Sequence, residues 1–337
     1  MKEIVHIENV SRKPLFKASA NLMTEIFTVA RTKYKPDFLP LKSVCPLPDF
    51  NQKYELNFTE TALIRAQEIW KNNTVNNEVN VLWSGGIDST VALVALIQTA
   101  KVTSQFNVFC NLNSINENPA LYAMLLQNKK VSFKNSSIMP RQTSMQLITG
   151  ELGDQIFGSD LLFKIVNTLG FSQLHVDFDV VLPKVFKMRC GEELGQTLYE
   201  RYRPIIEEAP FKLKTAFDFI WWWNLTQKWQ SVKFRKNCLL NSQISTLHFF
   251  ESDNFQLWSV NNHSRKIKDS VQSYKMPAKE FIFEFDKNSD YLLQKRKYGS
   301  PFGNKFHFLA LYDDGTKICT WEECDQLINA LTPHIIS

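Results

Sequence analysis

Short apolar runs alternate with longer helix-like segments through the middle of the chain. The run 79–83 leads into a turn and then into the apolar stretch 91–97, which is the pattern of a strand, a loop and a helix. The runs 106–110 and 131–133 predict two more buried strands, and a helix that begins at Pro119 lies between them. Because strands alternate with helices, the pattern favours an α/β fold with a parallel twisted sheet flanked by helices.

The flanking regions carry a different pattern. Residues 57–60 have the spacing of a capping box and predict a helix that packs beside the first strand. From Gly170 onward the pattern is mainly helical, and a hairpin is predicted around 313–315. The sequence therefore divides into an N-terminal extension, an α/β core and a mainly helical C-terminal part, which span 1–76, 77–170 and 171–337.

The helical part contains an aromatic segment at 217–229. Residues three and four apart share one face of a helix, so Trp222, Leu225, Thr226 and Trp229 form a single stripe. Large aromatic side chains mainly fill interiors and interfaces, which favours a buried helix. A stacking platform for nucleic-acid bases is the alternative interpretation.

The turn at 84–89, Ser-Gly-Gly-Ile-Asp-Ser, has the composition of an anion-binding loop. Its adjacent glycines allow positive φ and a close approach of the backbone to a ligand. The backbone N–H groups, the two serine hydroxyls and the N-terminus of the following helix would point donors at one site. Asp88 would repel an anion there unless a cation lies between them, so the loop implies Mg²⁺.

A second strand–turn–helix pattern spans 147–169. Two apolar residues enter the turn 149–158, Thr-Gly-Glu-Leu-Gly-Asp-Gln-Ile-Phe-Gly, and a helix is predicted over 159–169. Open parallel sheets bind their ligands beyond the carboxyl ends of the strands. Both glycine-containing turns are therefore expected on the same edge of the sheet.

These two turns carry a resemblance to a known family. The turn 84–89 resembles the pyrophosphate-binding loop of the N-type ATP pyrophosphatases, the PP-loop superfamily, and lacks the Gly-Lys-Ser/Thr ending of a Walker A loop. The turn 149–158 resembles the Ser-Gly-Glu-Gly-x-Asp-Glu-x-Phe-Gly segment of asparagine synthetases and β-lactam synthetases. The resemblance implies an adenine nucleotide α hydrolase-like fold with ATP and Mg²⁺ as cofactors. It covers only the synthetase domain, because residue 2 is lysine and the N-terminal extension is too short for a glutaminase domain.

The resemblance also implies roles for individual residues. Asp154 would join Asp88 in holding Mg²⁺, and Glu151 would be the base for the incoming amine. The basic segment 295–300 is similar to the loop that the family closes over pyrophosphate, with Lys297 at the catalytic lysine position and Lys295 on the family's arginine. The residues implied to contact the nucleotide are Leu82, Ser84, Gly85, Gly86, Asp88, Ser89, Thr149, Gly150 and Lys297.

Other similarities are weaker. Gln155 departs from the family's second acid, which leaves the number of metal ions open. Residues 248–258 loosely resemble a Pro-Phe-Leu-Asp segment, and Lys275 with Lys279 resembles the family's helix-opening lysine and arginine.

The expected function is that of an amide-forming synthetase. A carboxylate would attack the α-phosphorus of ATP and release pyrophosphate, and the acyl group would pass from AMP to ammonia or another amine. The partners would be a small-molecule or peptide carboxylate and an amine donor. One alternative is an enzyme that adenylates a nucleobase in tRNA or DNA, and another is a non-catalytic nucleotide-binding protein, which only Gln155 favours.

The composition of the chain bears on nucleic-acid binding, on cysteine-based sites and on membrane contact. The formal net charge of +5 permits contact with nucleic acid but does not indicate it. The six cysteines form no C-x-x-C pair, so neither a zinc site nor a disulfide framework is expected. No apolar run is long enough to span a bilayer, and no long apolar run follows Met1, so a cytoplasmic protein without membrane contact is expected.

Overall fold

The structure is a computed structural model. It describes residues 29–36, 43–72, 77–136, 145–159, 161–233, 244–295, 308–312 and 315–319. Lys297 lies outside the described residues. None of the described helices is long and apolar enough to cross a membrane.

A five-stranded parallel sheet lies at the centre of the α/β part. The strands lie in the order β3-β2-β1-β4-β5, so β1 is the central strand. This arrangement confirms the predicted α/β fold with a parallel sheet flanked by helices. The strands are β1 (Glu78–Leu82), β2 (Gln105–Cys110), β3 (Val131–Asn135), β4 (Met145–Thr149) and β5 (Ile244–His248).

The order of the strands reverses direction at β1. The chain moves outward from β1 through β2 to β3 and then returns to the other side of β1 with β4. Leu82, the last residue of β1, is in register with Phe109 and with Thr149, so the carboxyl ends of β1 and β4 lie side by side. Such a reversal is where open α/β sheets place their ligands.

One described helix precedes β1, and the others lie between the strands or after them in the chain. A π-helical turn, Asn224–Lys228, directly follows the helix Ala216–Trp223. The helices are α1 (Phe58–Asn72), α2 (Ile87–Gln98), α3 (Leu112–Glu117), α4 (Pro119–Leu126), α5 (Gly153–Phe157), α6 (Leu162–Leu169), α7 (Phe178–Cys190), α8 (Glu192–Tyr202), α9 (Ala216–Trp223), α10 (Asp253–Asn261), α11 (Met276–Asp286) and α12 (Ser289–Gln294).

The described residues form two compact units. The sheet unit comprises 48–157 and 240–298, and the second unit comprises 1–47, 158–239 and 299–337. This division differs from the three segments read from the sequence, because β5, α10, α11 and α12 return to the sheet after a long excursion of the chain.

The helices α1 and α2 pack on each other and on the sheet. Asn57 and Glu60 exchange side-chain-to-backbone hydrogen bonds of 2.8 and 3.0 Å, which confirms the predicted capping box at the start of α1. Near the other end of α1, the indole of Trp70 donates to the Leu96 carbonyl at 3.0 Å and meets the Phe106 ring edge-on. The α2 residues from Val91 to Leu96 are fully buried, so α2 is an interior helix held by apolar contacts.

In the second unit the aromatic segment is buried. Trp222, Leu225 and Thr226 are fully buried and Trp229 is 2% exposed, which confirms the predicted interior stripe. The segment is α-helical only as far as Trp223, where the π-helical turn begins. Arg31 donates to the Leu225 carbonyl at 2.9 Å, and its guanidinium stacks over the Trp229 ring. A π-helical turn changes the pairing of the helix carbonyls, and Arg31 supplies one of them with a donor.

Two predictions about the elements were incomplete. The helix predicted over 159–169 is replaced by α5 and α6, so the acidic turn itself is helical from Gly153. The mainly helical C-terminal part also contributes β5 to the sheet. The predicted hairpin is present as two antiparallel strands, β6 (Phe308–Tyr312) and β7 (Gly315–Cys319).

Candidate functional site

The loop after β1 is closed by hydrogen bonds among its own residues. The Ser84 and Ser89 hydroxyls are 2.9 Å apart, and the Ser89 hydroxyl accepts from the Ser84 backbone N–H at 3.1 Å. The Ser84 hydroxyl also accepts from the Gly86 N–H at 3.3 Å. Gly86 then caps the N-terminus of the apolar helix α2. The loop therefore forms a compact turn at the positive end of a buried helix dipole, a setting that favours anions.

Gly85 is required by the packing of this loop. Its φ is +75°, in the left-handed region, and a Cβ atom there would lie 2.1 Å from the Ser114 carbonyl oxygen in α3. Its own carbonyl accepts a hydrogen bond of 3.2 Å from the Tyr291 hydroxyl of α12. Burial raises the pKa of Tyr291, so its phenol stays protonated and continues to donate. The first turn is thus held between α3 and α12.

The loop after β4 lies directly against the loop after β1. A Cβ atom on Gly150 would be 2.4 Å from the Ser89 backbone nitrogen and 2.6 Å from the Asp88 carbonyl carbon. A Cβ atom on Gly153 would be 2.4 Å from the Asp88 carboxyl carbon. Only glycine leaves room for this approach. The two turns singled out in the sequence are therefore in contact where the strand order reverses.

Asp88 and Asp154 share one buried ammonium group. Lys275 Nζ lies 2.7 and 2.6 Å from the two oxygens of Asp88 and 2.7 Å from Asp154 Oδ1. The lysine side chain is 2% exposed, whereas the two carboxylates are 19% and 29% exposed. Burial alone would lower the pKa of Lys275, but attraction by Asp154 and Asp88 outweighs it and raises that pKa. Lys275 is therefore a fixed positive charge between the two acids.

The backbone around Lys275 is unusual for a lysine. Lys275 has φ +59° just before α11, and its N–H donates to the Lys266 carbonyl at 2.9 Å. Lys266 is itself fully buried and donates to the Ser259 carbonyl at 2.6 Å. One turn into α11, the fully buried Lys279 donates to the Gln272 carbonyl. Lysine is rarely buried unless it is paired, so these bonds indicate that the segment is built to present the ammonium of Lys275.

Lys279 gives a test of this buried segment. Burial lowers its pKa to about 8. Between that value and about 10.4, its usual value, the unfolded chain holds a proton that the folded chain has lost, so stability rises with pH. The free energy of unfolding of the wild type relative to Lys279→Met should therefore increase from pH 7 to about pH 10.

Urea unfolding of both proteins at several pH values measures this difference. Lys287→Met is the matched control, because Lys287 lies at the end of the same helix with a side chain that is 63% exposed. A difference between wild type and Lys279→Met that stays constant over this pH range would contradict the lowered pKa.

Thr149 and His248 join the ends of β4 and β5. The Thr149 hydroxyl and His248 Nδ1 are 2.7 Å apart, and both residues are buried. The Thr149 hydroxyl also accepts from the Glu151 N–H at 3.3 Å. Arg65 donates to the carbonyl of Phe249, which follows β5, at 3.0 Å. Because the hydroxyl is held on two sides, its direction at the edge of the sheet is fixed.

Three further residues of the second loop have contrasting surroundings. Glu151 is partly exposed at the mouth of the turn. Leu152 is 1% exposed and has φ +73°, a left-handed conformation that is uncommon for a branched side chain. Gln155 is 2% exposed, and its side-chain oxygen has no hydrogen-bond partner within the part of the chain that the structure describes. Gln155 is therefore an interior residue and lies outside the exposed mouth of the site.

Lys295 is paired at the end of α12. Its ammonium contacts the Glu117 carboxylate and lies 3.1 Å from the Glu117 carbonyl oxygen, at the C-terminus of α3. The Lys295 side chain is 7% exposed. This contact brings the start of the basic segment to α3, the helix on which Gly85 packs. The position of Lys297, two residues further on, lies outside the described residues.

The acid pair has the chemistry of a magnesium site, although it is small. Mg²⁺ prefers carboxylate oxygens and is commonly held by one or two carboxylates together with substrate phosphates. Asp88 and Asp154 supply two partly exposed carboxylates beside the loop 84–89. Among the residues that the structure describes, no group of three or more His, Cys, Asp or Glu side chains could hold a metal ion. The donor set therefore fits one Mg²⁺ that is also bound by phosphate.

No model of a known protein family matches the chain, and no curated protein matches it.

Sequence reasoning missed the partners that organise these loops. Lys275 was noted only for a weak similarity, and its contact with Asp88 and Asp154 spans 187 and 121 positions of the chain. Tyr291 carried no motif at all. Lys266, Lys275 and Lys279 are all buried, but their spacing in the sequence does not identify their partners.

The Tyr291→Phe variant should loosen the loop 84–89, while its ring still fills the same space in the interior. Loss of the hydrogen bond to the Gly85 carbonyl should lower the free energy of unfolding by about 1 kcal/mol and raise the Kd for the ATP that the family resemblance implies. Urea unfolding and nucleotide titration measure the two effects. Tyr54→Phe is the control, because its hydroxyl bonds to Thr61 at 2.9 Å at the start of α1. Equal Kd values for the two variants would contradict a role for Tyr291 in holding the loop.

Proposed function

We propose that this chain is an ATP-dependent synthetase with an adenine nucleotide α hydrolase-like fold, which adenylates a carboxylate and transfers the acyl group to ammonia or another amine. The observation that carries the proposal is the contact of Gly150 and Gly153 with Asp88 and Ser89, at the reversal of the strand order. The two turns whose sequences resemble the asparagine synthetase-like family are thereby neighbours. Open parallel sheets bind their ligands at such a reversal, so both turns lie where a nucleotide would bind.

The first loop suits pyrophosphate. The Ser84 and Ser89 hydroxyls and the backbone of Gly85 and Gly86 surround the N-terminus of α2. Hydroxyl and N–H donors with a helix dipole behind them stabilise negative charge on phosphate oxygens. Leu82, Thr149 and Gly150, at the ends of β1 and β4, would contact the rest of the nucleotide.

Asp88 and Asp154 would hold Mg²⁺ together with phosphate oxygens. When bound, Mg²⁺ supplies positive charge that offsets the negative charge of the triphosphate. Lys275 and Lys297 would add ammonium charge beside it. Such a reaction depends mainly on positioning and on charge stabilisation, which the two loops can provide.

The proposed reaction has two steps. A carboxylate oxygen of the substrate attacks the α-phosphorus of ATP, and the bond from that phosphorus to the bridging oxygen breaks, so pyrophosphate leaves with the electron pair. The amine then attacks the carbonyl carbon of the acyl-adenylate, and AMP leaves with the carboxylate oxygen that had attacked phosphorus. Glu151 would accept the proton that the amine loses.

The alternative function, adenylation of a nucleobase in tRNA or DNA, has lost one of its supports. The tryptophans that suggested a stacking platform, Trp221, Trp222 and Trp223, are fully buried. The net charge of +5 is the remaining argument for nucleic acid. The carboxylate reaction is therefore preferred.

An oxygen-tracing experiment tests the proposal. The protein is incubated with ATP, Mg²⁺, ammonia and a panel of ¹⁸O-labelled carboxylic acids, and AMP is separated from ADP. Acid-dependent AMP that carries ¹⁸O is the expected result, and it should be lost in Asp88→Ala and Lys297→Ala. The Asp269→Ala variant, changed at an exposed acid of the same unit, is the control.

Formation of ADP in place of AMP would overturn the assignment of the first loop. AMP without ¹⁸O would exclude attack by the carboxylate. If tRNA or DNA were required for AMP release, the nucleobase alternative would replace the proposal.

A further inference from the structure

Lys275 occupies the place between two carboxylates where a metal ion would be expected. Its ammonium is within 2.7 Å of both oxygens of Asp88 and of one oxygen of Asp154. The Phe157 ring lies 5.5 Å below the same nitrogen, measured to its centroid. Lys275 is therefore enclosed by two acids and an aromatic face, and all of these residues belong to the sheet unit.

The position of the ammonium is set by the backbone. Lys275 is held in the left-handed region, and its N–H is bonded to the Lys266 carbonyl. Lys279 donates to the Gln272 carbonyl, which ties α11 to the segment that precedes it. A left-handed conformation is unfavourable for a non-glycine residue and persists only where its surroundings compensate. The contact of Lys275 with the acids is therefore a built feature of the fold.

This arrangement changes the charge that a metal ion would meet. Two ionised carboxylates carry two negative charges, and the ammonium offsets one of them. A divalent cation added to this group would leave a net positive charge, in a site whose lysine is 2% exposed. Like charges that close together are strongly unfavourable in a poorly solvated site.

A bound polyphosphate offsets this net positive charge. The phosphates of a nucleotide bring several negative charges to the N-terminus of α2, next to Asp88. They also supply oxygen ligands, and the described part of the chain offers no third His, Cys, Asp or Glu at this point. Mg²⁺ and the ammonium can then lie close together, because the phosphates neutralise both.

We propose that Lys275 makes the Asp88–Asp154 pair accept a divalent cation only together with a polyphosphate. The acid pair then takes the metal–nucleotide complex and rejects the free cation. The identity of the polyphosphate as ATP rests on the proposed function, whereas the rejection of the free cation by Lys275 does not. Since coupling between two ligands is reciprocal, removal of Lys275 should also weaken the dependence of nucleotide binding on the metal.

Mn²⁺ serves as the probe, because its free form is counted by electron paramagnetic resonance. Wild-type protein is titrated with Mn²⁺ alone and then with the analogue α,β-methylene-ATP present. We expect no binding of Mn²⁺ alone and clear binding with the analogue. Lys275→Met should bind Mn²⁺ alone at least about tenfold more tightly than wild type, since one lost charge–charge repulsion of about 1.4 kcal/mol corresponds to that factor.

Three variants separate the role of Lys275 from general effects. Lys279→Met also removes a buried lysine from α11, but its ammonium lies on a carbonyl oxygen, so it should not bind Mn²⁺ alone. Lys287→Met removes an exposed lysine from the same helix and gives the same change in net charge. Adding Asp88→Asn to Lys275→Met should abolish the new binding.

The results separate the role of Lys275 from the proposed function. Equal binding of Mn²⁺ alone by wild type and by folded Lys275→Met, whether measurable or undetectable in both, would overturn the proposal, and this comparison holds even if the chain binds no nucleotide. Failure to bind the analogue, or to form AMP from ATP, would count against the proposed function alone. If Lys275→Met does not fold, Lys275→Gln keeps hydrogen-bond donors without the charge, and a rise in its melting temperature with Mn²⁺ alone is the expected result. If neither variant folds, binding of Mn²⁺ by the wild type without nucleotide is still sufficient to overturn the proposal.

Discussion

Asp88→Asn should abolish carboxylate-dependent AMP formation while the sheet unit stays folded. Asparagine keeps one oxygen that can accept from Lys275, but it loses the charge that the proposed Mg²⁺ requires. Loss of one electrostatic stabiliser of a transition state lowers kcat by about 10²–10³. The expected change is therefore a loss of at least about a hundredfold in kcat, measured as AMP release under saturating ATP.

Asp269→Asn provides the matched control, since Asp269 is an exposed acid in the segment before α11. Circular dichroism and urea unfolding show whether the fold of each variant is retained. AMP formation by a folded Asp88→Asn at more than about a tenth of the wild-type rate would exclude a direct role for Asp88 in the reaction.

Gly150→Ala should separate the two loops of the site. The added methyl group would lie 2.4–2.7 Å from backbone atoms of Asp88 and Ser89, which cannot turn aside as a long side chain can. Overpacking of this kind costs about 1–3 kcal/mol, and here the strain falls on the helix α2 that starts between the loops. We expect a loss of about 3 kcal/mol in the free energy of unfolding and loss of ATP binding.

Gly153→Ala is the appropriate comparison. The three atoms nearest to its Cβ would all belong to the side chain of Asp88, so the carboxylate should be displaced while the loops remain in contact. Urea unfolding should show a smaller loss for Gly153→Ala than for Gly150→Ala. Equal stability of Gly150→Ala and wild type would mean that the two loops do not meet as described.

Local sequence patterns were sufficient to predict the strands and helices near the site. The apolar runs of β1, β2 and β3 and the capping box at Asn57 are properties of neighbouring residues, so a single sequence contains them. The buried stripe on Trp222 and Trp229 follows from helical periodicity in the same way. The nearness of the two acidic turns could also be predicted, since parallel strands place their carboxyl ends on one edge.

Distant contacts could not be predicted in this way. The sequence gives no period or spacing that brings Lys275 to Asp88 or Tyr291 to Gly85, because these pairs are set by the packing of α11 and α12. The return of β5 to the sheet was missed for the same reason. Its five residues, Ile244–His248, include only two apolar side chains, so no apolar run indicates a strand there.

The role of Lys297 stays a prediction from the resemblance. Lys295, two residues earlier, is paired with Glu117, so the basic segment begins at the helix that supports Gly85. Lys297→Ala, included in the oxygen-tracing experiment, is the test of that prediction.

Leu152 has a consequence for how the second loop opens. Its left-handed backbone is unfavourable for a branched residue, and burial of its side chain compensates for that cost. If the loop opened by itself, the side chain of Leu152 would become exposed, and its burial would no longer offset the unfavourable backbone conformation. The loop and the interior beneath it should therefore open as one cooperative unit, and the hydrogen-bonded amides of Glu151 and Gly153 should exchange with solvent only at the rate of global unfolding. Faster exchange of these amides than of those in β1 would show that the loop opens independently.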